Sequence, residues 1–560
     1  MRITLGKKGI AAFILAMVFL ASGNVFAERS PSVQTRDSEL GLLIKKRVTG
    51  WQTPSKKVVR GERIFAAVLV EGFYRGRNYQ PGWSQDGRMV QMEKLIKAVE
   101  EAYDDGLTPD HYHLSLIKSL IERTRENISD RVLMADLDIL LTDAFLTLGC
   151  HLSAGCVNPV TIEAEWFAKR GNVDVSSVLE QALRKKQIRE ALMGLRPEQG
   201  SYAKLRQALA QYRGLLLKGD WPRISTGPSL KKNVKSGRVA ELRKRLAASG
   251  DLDGGKTEEG DLFDDRLEQA VTLFQKRHGL KTDGVVGPRT LAALNVPLKH
   301  RIRQMELNLE RLRWILGNPE QRSIVVNIAN FELNVIENGK PVLSMKVIVG
   351  KPYWRTPVFT EKMTYLVINP SWNVPDSIAR REILSKIGKD PSYLAKQKMR
   401  VLSERGFREY DIAPETIDWS QVTARTLSYR FRQEPGPLNP LGRVKFMFPN
   451  RFNVYLHDTP SRHLFSENVR TFSHGCTRIE KPIELAEYLL RDAPGWTKEK
   501  LLASIEEGSE QKVLIPQPLN VHFLYLTAWV DEGGTLQFRN DIYKRDPVLD
   551  EALRRKPALR

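Results

Sequence analysis

Between residues 36 and 225 apolar side chains return every third or fourth position. The pattern is clearest at Leu133, Leu137, Leu140, Leu141, Ala144 and Leu148, the spacing of one helix face. The stretch reads as a helical scaffold, interrupted at Asn158-Pro159 and resumed over 201–217, with no cluster of reactive groups. Residues 226–236, with Lys231, Lys232 and Lys235 behind Gly227-Pro228, read as a linker. Three short helical stripes then make a compact unit over 237–296: Val239, Leu242 and Leu246; Leu267, Ala270, Val271 and Phe274; and Thr290, Leu291 and Leu294 behind Gly287-Pro288. After a helix over 298–316 the period becomes that of strands, at 324–328, 333–336 and 342–349, with Asn338-Gly339 as a hairpin turn and 365–368 continuing the sheet. The text turns helical and charged over 375–435, with Ile378, Ile383, Leu384, Tyr393, Leu394 and Met399, before strand character resumes at 444–448. That segment reads as an insertion in a sheet domain spanning 321–550. Its place suits a lid over a site, and a plain surface embellishment fits the pattern equally. The expected fold class is multidomain α+β: a helical scaffold over 36–225, a three-helix module, and a mainly-β domain with a helical insertion.

At the start of the chain Arg2, Lys7 and Lys8 precede an apolar run over 10–20, and small residues lead to Val25-Phe26-Ala27. This is the pattern of a secretory signal peptide over 1–27, cleaved after Ala27. The run is shorter than the roughly 20 apolar residues of a membrane span; an uncleaved anchor is the other reading. The 560 residues carry +21, and losing residues 1–27 with their three positive charges leaves +18. In an exported protein such a field points to anionic polymers or a membrane face before nucleic acid, although a merely solvated basic surface is equally compatible. Three cysteines cannot all pair. Cys150 and Cys156 could bridge or sit as buried thiols, and Cys476 is left over.

Cys476 is where chemistry concentrates. His457 is followed, after fifteen residues, by Ser473-His474-Gly475-Cys476-Thr477-Arg478. A thiol attacks a carbonyl as the thiolate, so it needs a base or a lowered pKa. His457 and His474 are the candidate bases, and His474, two residues from Cys476, would share its face on a strand. Gly475 would leave backbone N–H groups around the thiol free for an oxyanion hole, and Arg478 could stabilise the thiolate or bind a substrate carboxylate. A zinc site would need three or four convergent ligands, and no second cysteine accompanies Cys476, so no metal is expected. A redox role would need a resolving cysteine nearby.

The spacing of His457 and the Ser473–Arg478 run resembles the signature of the YkuD-type L,D-transpeptidase catalytic domain. The wider text is similar to large periplasmic members of the YcbB type, particularly at 370–375, 432–437, 445–450 and 455–460. Residues 274–280 and 283–290 resemble a three-helix peptidoglycan-binding domain, lengthened here by an acidic loop over 251–265. That loop opens like a calcium site, but Gly255 and Lys256 stand where a ligand and the glycine belong. The resemblance implies Cys476 as nucleophile, His457 as proton acceptor and donor oriented by a backbone carbonyl near Asp458, and His474, Gly475 and Arg478 shaping the site. Tyr455, Trp372 and Ser473 would line the substrate cleft. It further implies a periplasmic enzyme without cofactor or metal. That enzyme would act on peptidoglycan stem peptides and glycan strands, joining third-position residues through a thioester, with peripheral association with membrane or wall-synthesis proteins. Hydrolysis, lipoprotein anchoring, a cysteine peptidase and an inactive wall-binding scaffold are the alternatives.

Overall fold

The computed structural model describes residues 31–51, 57–85, 88–126, 130–163, 166–167, 173–253, 260–315, 321–405 and 408–555. The signal-peptide reading and residues 254–256 of the rejected calcium loop lie outside these. No described helix is long and apolar enough to cross a membrane.

The scaffold is built around helix α1 (Arg131–Ala154), started by Asp130, whose carboxylate accepts the Leu133 N–H. The leucine stripe marks one face, yet nearly every side chain of α1 is buried because helices surround it. Its acidic residues survive burial by holding neighbouring loops. Asp138 accepts the Tyr74 hydroxyl at 2.6 Å and the Gly82 and Trp83 N–H groups, and Asp143 accepts the Phe65 and Ala66 N–H groups. Cys150 and Cys156 pack, partly buried, against this core.

The mainly-β domain is a closed barrel. Its strands are β2 (Arg322–Asn327), β3 (Glu332–Glu337), β4 (Lys340–Gly350), β5 (Val358–Ile368), β6 (Val444–Met447), β7 (Leu456–His457), β9 (Thr477–Ile479) and β10 (Gln511–Leu524), with β8 (Thr471–Ser473) paired to β4. The order is β6-β7-β9-β4-β3-β2-β10-β5, and β5 pairs back to β6. Asn338 and Gly339 both take positive φ at the β3–β4 turn, as Asn-Gly predicts. Inward residues such as Val326, Leu333, Val347, Met363, Phe446 and Phe523 fill the barrel.

The scaffold is more than a separate helical body. Its short strand β1 (Trp166–Phe167) pairs with β5, extending the catalytic sheet. Helix α2 (Gly200–Leu216) packs with the 298–313 helix and with Leu526, Ala528 and Phe538, while buried Arg545 donates to Glu163 at 3.0 Å. The three-helix module comprises α3 (Gly237–Ala248), α4 (Asp265–Arg277) and α5 (Pro288–Leu294) around Leu242, Leu246, Val271 and Phe274. The supposed linker is tied to it, since Leu230 bridges Val286 and Lys235 bridges Leu262. Asp251 is no cation ligand: it is buried in an ion pair with Arg277.

The insertion carries helices at 376–396 and also three strands of a four-stranded antiparallel sheet completed by Trp372–Asn373, which a helical reading missed. Its strands alternate charged outward residues such as Arg400 and Arg430 with inward Val401 and Phe431, and short charged strands are easily read as helix.

Candidate active site

Three neighbouring barrel strands place Lys445, His457 and Arg478 side by side. Lys445 of β6 is opposite His457 of β7, and His457 is opposite Arg478 of β9. Directly opposed residues share a face of the sheet, so one row holds a base between two cations. His457 is buried, and its Nδ1 lies 2.6 Å from the Asp458 carbonyl oxygen. A carbonyl only accepts, so Nδ1 carries the proton and Nε2 is the basic atom. Burial, then Arg478 and Lys445, push the imidazole down to about 3, and the Asp458 and Pro440 carbonyls offset this only in part. Asp458 is itself fixed, its carboxylate accepting the Arg443 N–H and the Arg462 guanidinium.

Cys476 follows a bend between β8 and β9. Gly475 sits at φ +113, a conformation that L side chains rarely adopt, and its carbonyl accepts the Thr356 hydroxyl at 2.9 Å. The half-buried thiol points to the Asn453 carbonyl at 3.8 Å. Burial raises its pKa, opposed by hydrogen bonds from the Tyr455 N–H and hydroxyl and by Lys445 and Arg478. The Lys445 ammonium lies 4.0 Å from the Tyr455 ring centre. The resting pair is therefore a neutral thiol and a neutral imidazole, with cations and a hydroxyl gathered where negative charge would develop.

Other expectations need correction. His474 does not share a strand face with Cys476, because the bend at Gly475 separates them; it hydrogen-bonds Glu382 of the insertion and packs edge-on against Trp354. The Gly475 N–H is taken by Ser473 Oγ at 3.2 Å, which leaves the Cys476 N–H, without an acceptor among the described residues, as the free donor. Ser473 is buried, and its hydroxyl bridges Gly475 N–H and the Cys476 carbonyl, so it holds the turn and does not face a cleft. Trp372 pairs with Gln433 and packs into the insertion's own core. Tyr455 does reach the thiol, with its ring 5.6 Å from that of His457. Lys445 was missed: it stands in the quoted 445–450 run, but only strand pairing puts it beside His457.

The arrangement can transfer an acyl group through the thiol: a nucleophile, a base of fixed tautomer and the Arg478 guanidinium on the strand beside that base. Fold and site define a multidomain α+β protein with a thiol-and-imidazole barrel under an inserted cap. Comparison with known families gives that barrel its name. Residues 321–509 match the model of the YkuD family, described as "L,D-transpeptidase catalytic domain". Residues 68–209 match a "Scaffold domain" and 235–294 a "Putative peptidoglycan binding domain". A Haemophilus influenzae protein named "Putative L,D-transpeptidase" is 34% identical over 250 residues, 44% of this chain and 49% of that one. The "N-acetylmuramoyl-L-alanine amidase CwlM" of Mycobacterium tuberculosis is 40% identical over 80 residues, 13% of this chain and 20% of its own. The match thus spans about half the length of the first curated relative and a fifth of the second. A solved L,D-transpeptidase from Xylanimonas cellulosilytica (residues 123–326) aligns over 53% of this chain and 98% of its own, at 16% identity and a TM-score of 0.17.

Proposed function

We propose that this protein is an exported, periplasmic L,D-transpeptidase, delivered by a signal peptide over 1–27, that forms 3–3 cross-links in peptidoglycan. The observation that carries the reading is His457: a buried, neutral imidazole pinned through Nδ1 to the Asp458 carbonyl, one strand from Cys476. Nε2 takes the thiol proton as sulfur attacks the carbonyl of the third stem residue, an L centre. The tetrahedral oxyanion is met by the Cys476 N–H and the Tyr455 hydroxyl. Its collapse breaks the amide bond, and the proton on Nε2 passes to the departing D-alanine amine. Lys445 and Arg478 keep that imidazolium short-lived, which favours passing the proton on. The acceptor amine then attacks the thioester, gives its proton to Nε2, and leaves a third-to-third amide with the thiol restored. One amide's free energy is carried into the next, so no nucleotide is consumed. Arg478 suits a carboxylate on the stem.

The test is to incubate the chain from residue 28, unmodified and as Cys476→Ala, with disaccharide-tetrapeptide and follow products by mass spectrometry. Cross-linked dimers lacking one D-alanine, formed only by the unmodified chain, are expected. Tripeptide alone would establish a carboxypeptidase, and no product from either chain would leave a wall-binding scaffold.

A further inference from the structure

Outside the cysteine cleft, two open features lie together at the seam between the three-helix module and the barrel. Two adjoining depressions of about 410 and 850 Å³ share Gly279, Leu280, Asn468, Val469 and Asn540. Both volumes fall within the roughly 300–1,000 Å³ of ligand sites. One wall is the module's 279–290 loop, and the other is the barrel segment 466–470.

Both walls are held in place. Buried Gln275 donates to Asp283 Oδ1 and the Val285 carbonyl at 2.9 Å each and accepts the Gly284 N–H, so the module's loop is preformed. Across the seam Arg539 donates to the Arg277 carbonyl at 3.0 Å and to Asn330 Oδ1 at 2.6 Å. A Cβ at Gly279 would stand 2.4 Å from Arg539 Cδ, so only glycine permits this approach, and His278 stacks on Phe538 at 5.4 Å. A module docked this way is part of the barrel's surface, not a domain on a tether.

The groove also lies within reach of the thiol. Arg470, at the end of the groove's barrel wall, is anchored to the Val347 and Phe331 carbonyls, and the next residues are β8 and the Gly475–Cys476 bend. At about 3.3 Å per residue, positions 470 and 476 are no more than about 20 Å apart. An extended three-residue stem covers about 10 Å of that, and the sugar with its lactyl ether covers the remainder. The lining selects its occupant. Asp283 and Glu467 stand with Lys281, Arg289 and Asn468. With Glu332, Glu480 and Lys346 the charges are of both signs along the groove, and a polymer of hydroxyl and acetamido groups finds donors and acceptors throughout.

We infer that this groove is a glycan-strand site built jointly by the module and the catalytic barrel, holding the sugar backbone of the strand whose stem enters the Cys476 cleft. The inference rests on the proposed transpeptidase reading for its purpose, but the binding it claims is separately measurable. The probe is a tetrasaccharide of alternating N-acetylglucosamine and N-acetylmuramic acid whose lactyl carboxyls are capped as primary amides in place of the stems, titrated calorimetrically into the chain from residue 28. Val469→Arg blocks the barrel wall and Arg289→Glu alters the module wall; both positions are on the surface, and an unchanged melting temperature certifies the fold. Binding by the unmodified chain, weakened at least tenfold by each substitution, is expected. A matching rise in KM for disaccharide-tetrapeptide is also expected, with KM for the free tetrapeptide unmoved. Absence of binding by the unmodified chain would overturn the inference. So would weakening by Arg289→Glu alone, which would place glycan on the module without the barrel. If glycan binds as expected and no cross-links form, the groove stands and the transpeptidase reading falls.

Discussion

Alkylation of Cys476 by iodoacetamide between pH 5 and 10 tests the ionisation state on which the mechanism depends. His457, held near 3 by burial and then by Arg478 and Lys445, is protonated at pH 7 in roughly one molecule in ten thousand. A thiolate–imidazolium pair is therefore essentially unpopulated at rest. Burial also raises the thiol above its ordinary value, so thiolate forms only by losing a proton to solvent. The alkylation rate should climb about tenfold per pH unit from pH 6 to 8 and keep rising past the unperturbed thiol value of about 8.5. His457→Ala should leave that slope in place while abolishing transpeptidation, because the histidine acts as a base only during attack. A plateau below pH 7 that disappears in His457→Ala would show a preformed ion pair and refute the argument. Stability follows from the same shift. The unfolded imidazole titrates near 6.5 and the folded one near 3, so below pH 6.5 the unfolded chain binds the additional proton. Stability is full above pH 6.5 and falls by about 1.4 kcal/mol per unit towards pH 3, about 2 kcal/mol by pH 5. His457→Ala should remove this part of the acid sensitivity in urea titrations.

Thr356→Val should destabilise the barrel although the shape is kept. The buried hydroxyl donates to the Gly475 carbonyl and accepts the Gly350 N–H, both at 2.9 Å. Leaving two buried groups unbonded costs about 2–4 kcal/mol, or a fall in melting temperature of about 4–16 °C. Thr356→Ser should restore most of it, and a Val variant melting within a degree of the unmodified protein would count against this account. Glu382→Ala should loosen the cap, because it removes the partner of His474 while leaving Arg381 over the Trp354 ring at 5.2 Å. A part-exposed pair is worth about 1 kcal/mol or less, so amide exchange over 376–389 should quicken by up to about fivefold with the barrel strands unaffected. Unchanged exchange there would mean the pair does not hold the cap.

Local order was legible from residues alone wherever local physics decides it. Helix-spaced leucines in α1, Pro288 opening α5 and Asn338-Gly339 turning β3 into β4 each express a preference that neighbouring residues create. Cys476 and His457 stood out as candidates too, because a thiol, two histidines and a glycine within so short a span carry few other meanings. The errors have a common origin. The cap's short charged strands, the linker tied into the module and β1 pairing with β5 all depend on partners far along the chain, to which periodicity is blind.

Sequence by itself determined which groups the site contains: a thiol, an imidazole, an arginine and a bend that only glycine takes easily. Tertiary structure alone decided what those groups are. The β6-β7-β9 order set Lys445 and Arg478 on either side of His457, and burial there holds the imidazole neutral. The bend at Gly475 turned His474 towards the cap, and the barrel's contacts with the module made one groove from two domains. Charge and desolvation act through space, and distances through space are set by strand pairing and domain docking, not by separation along the chain.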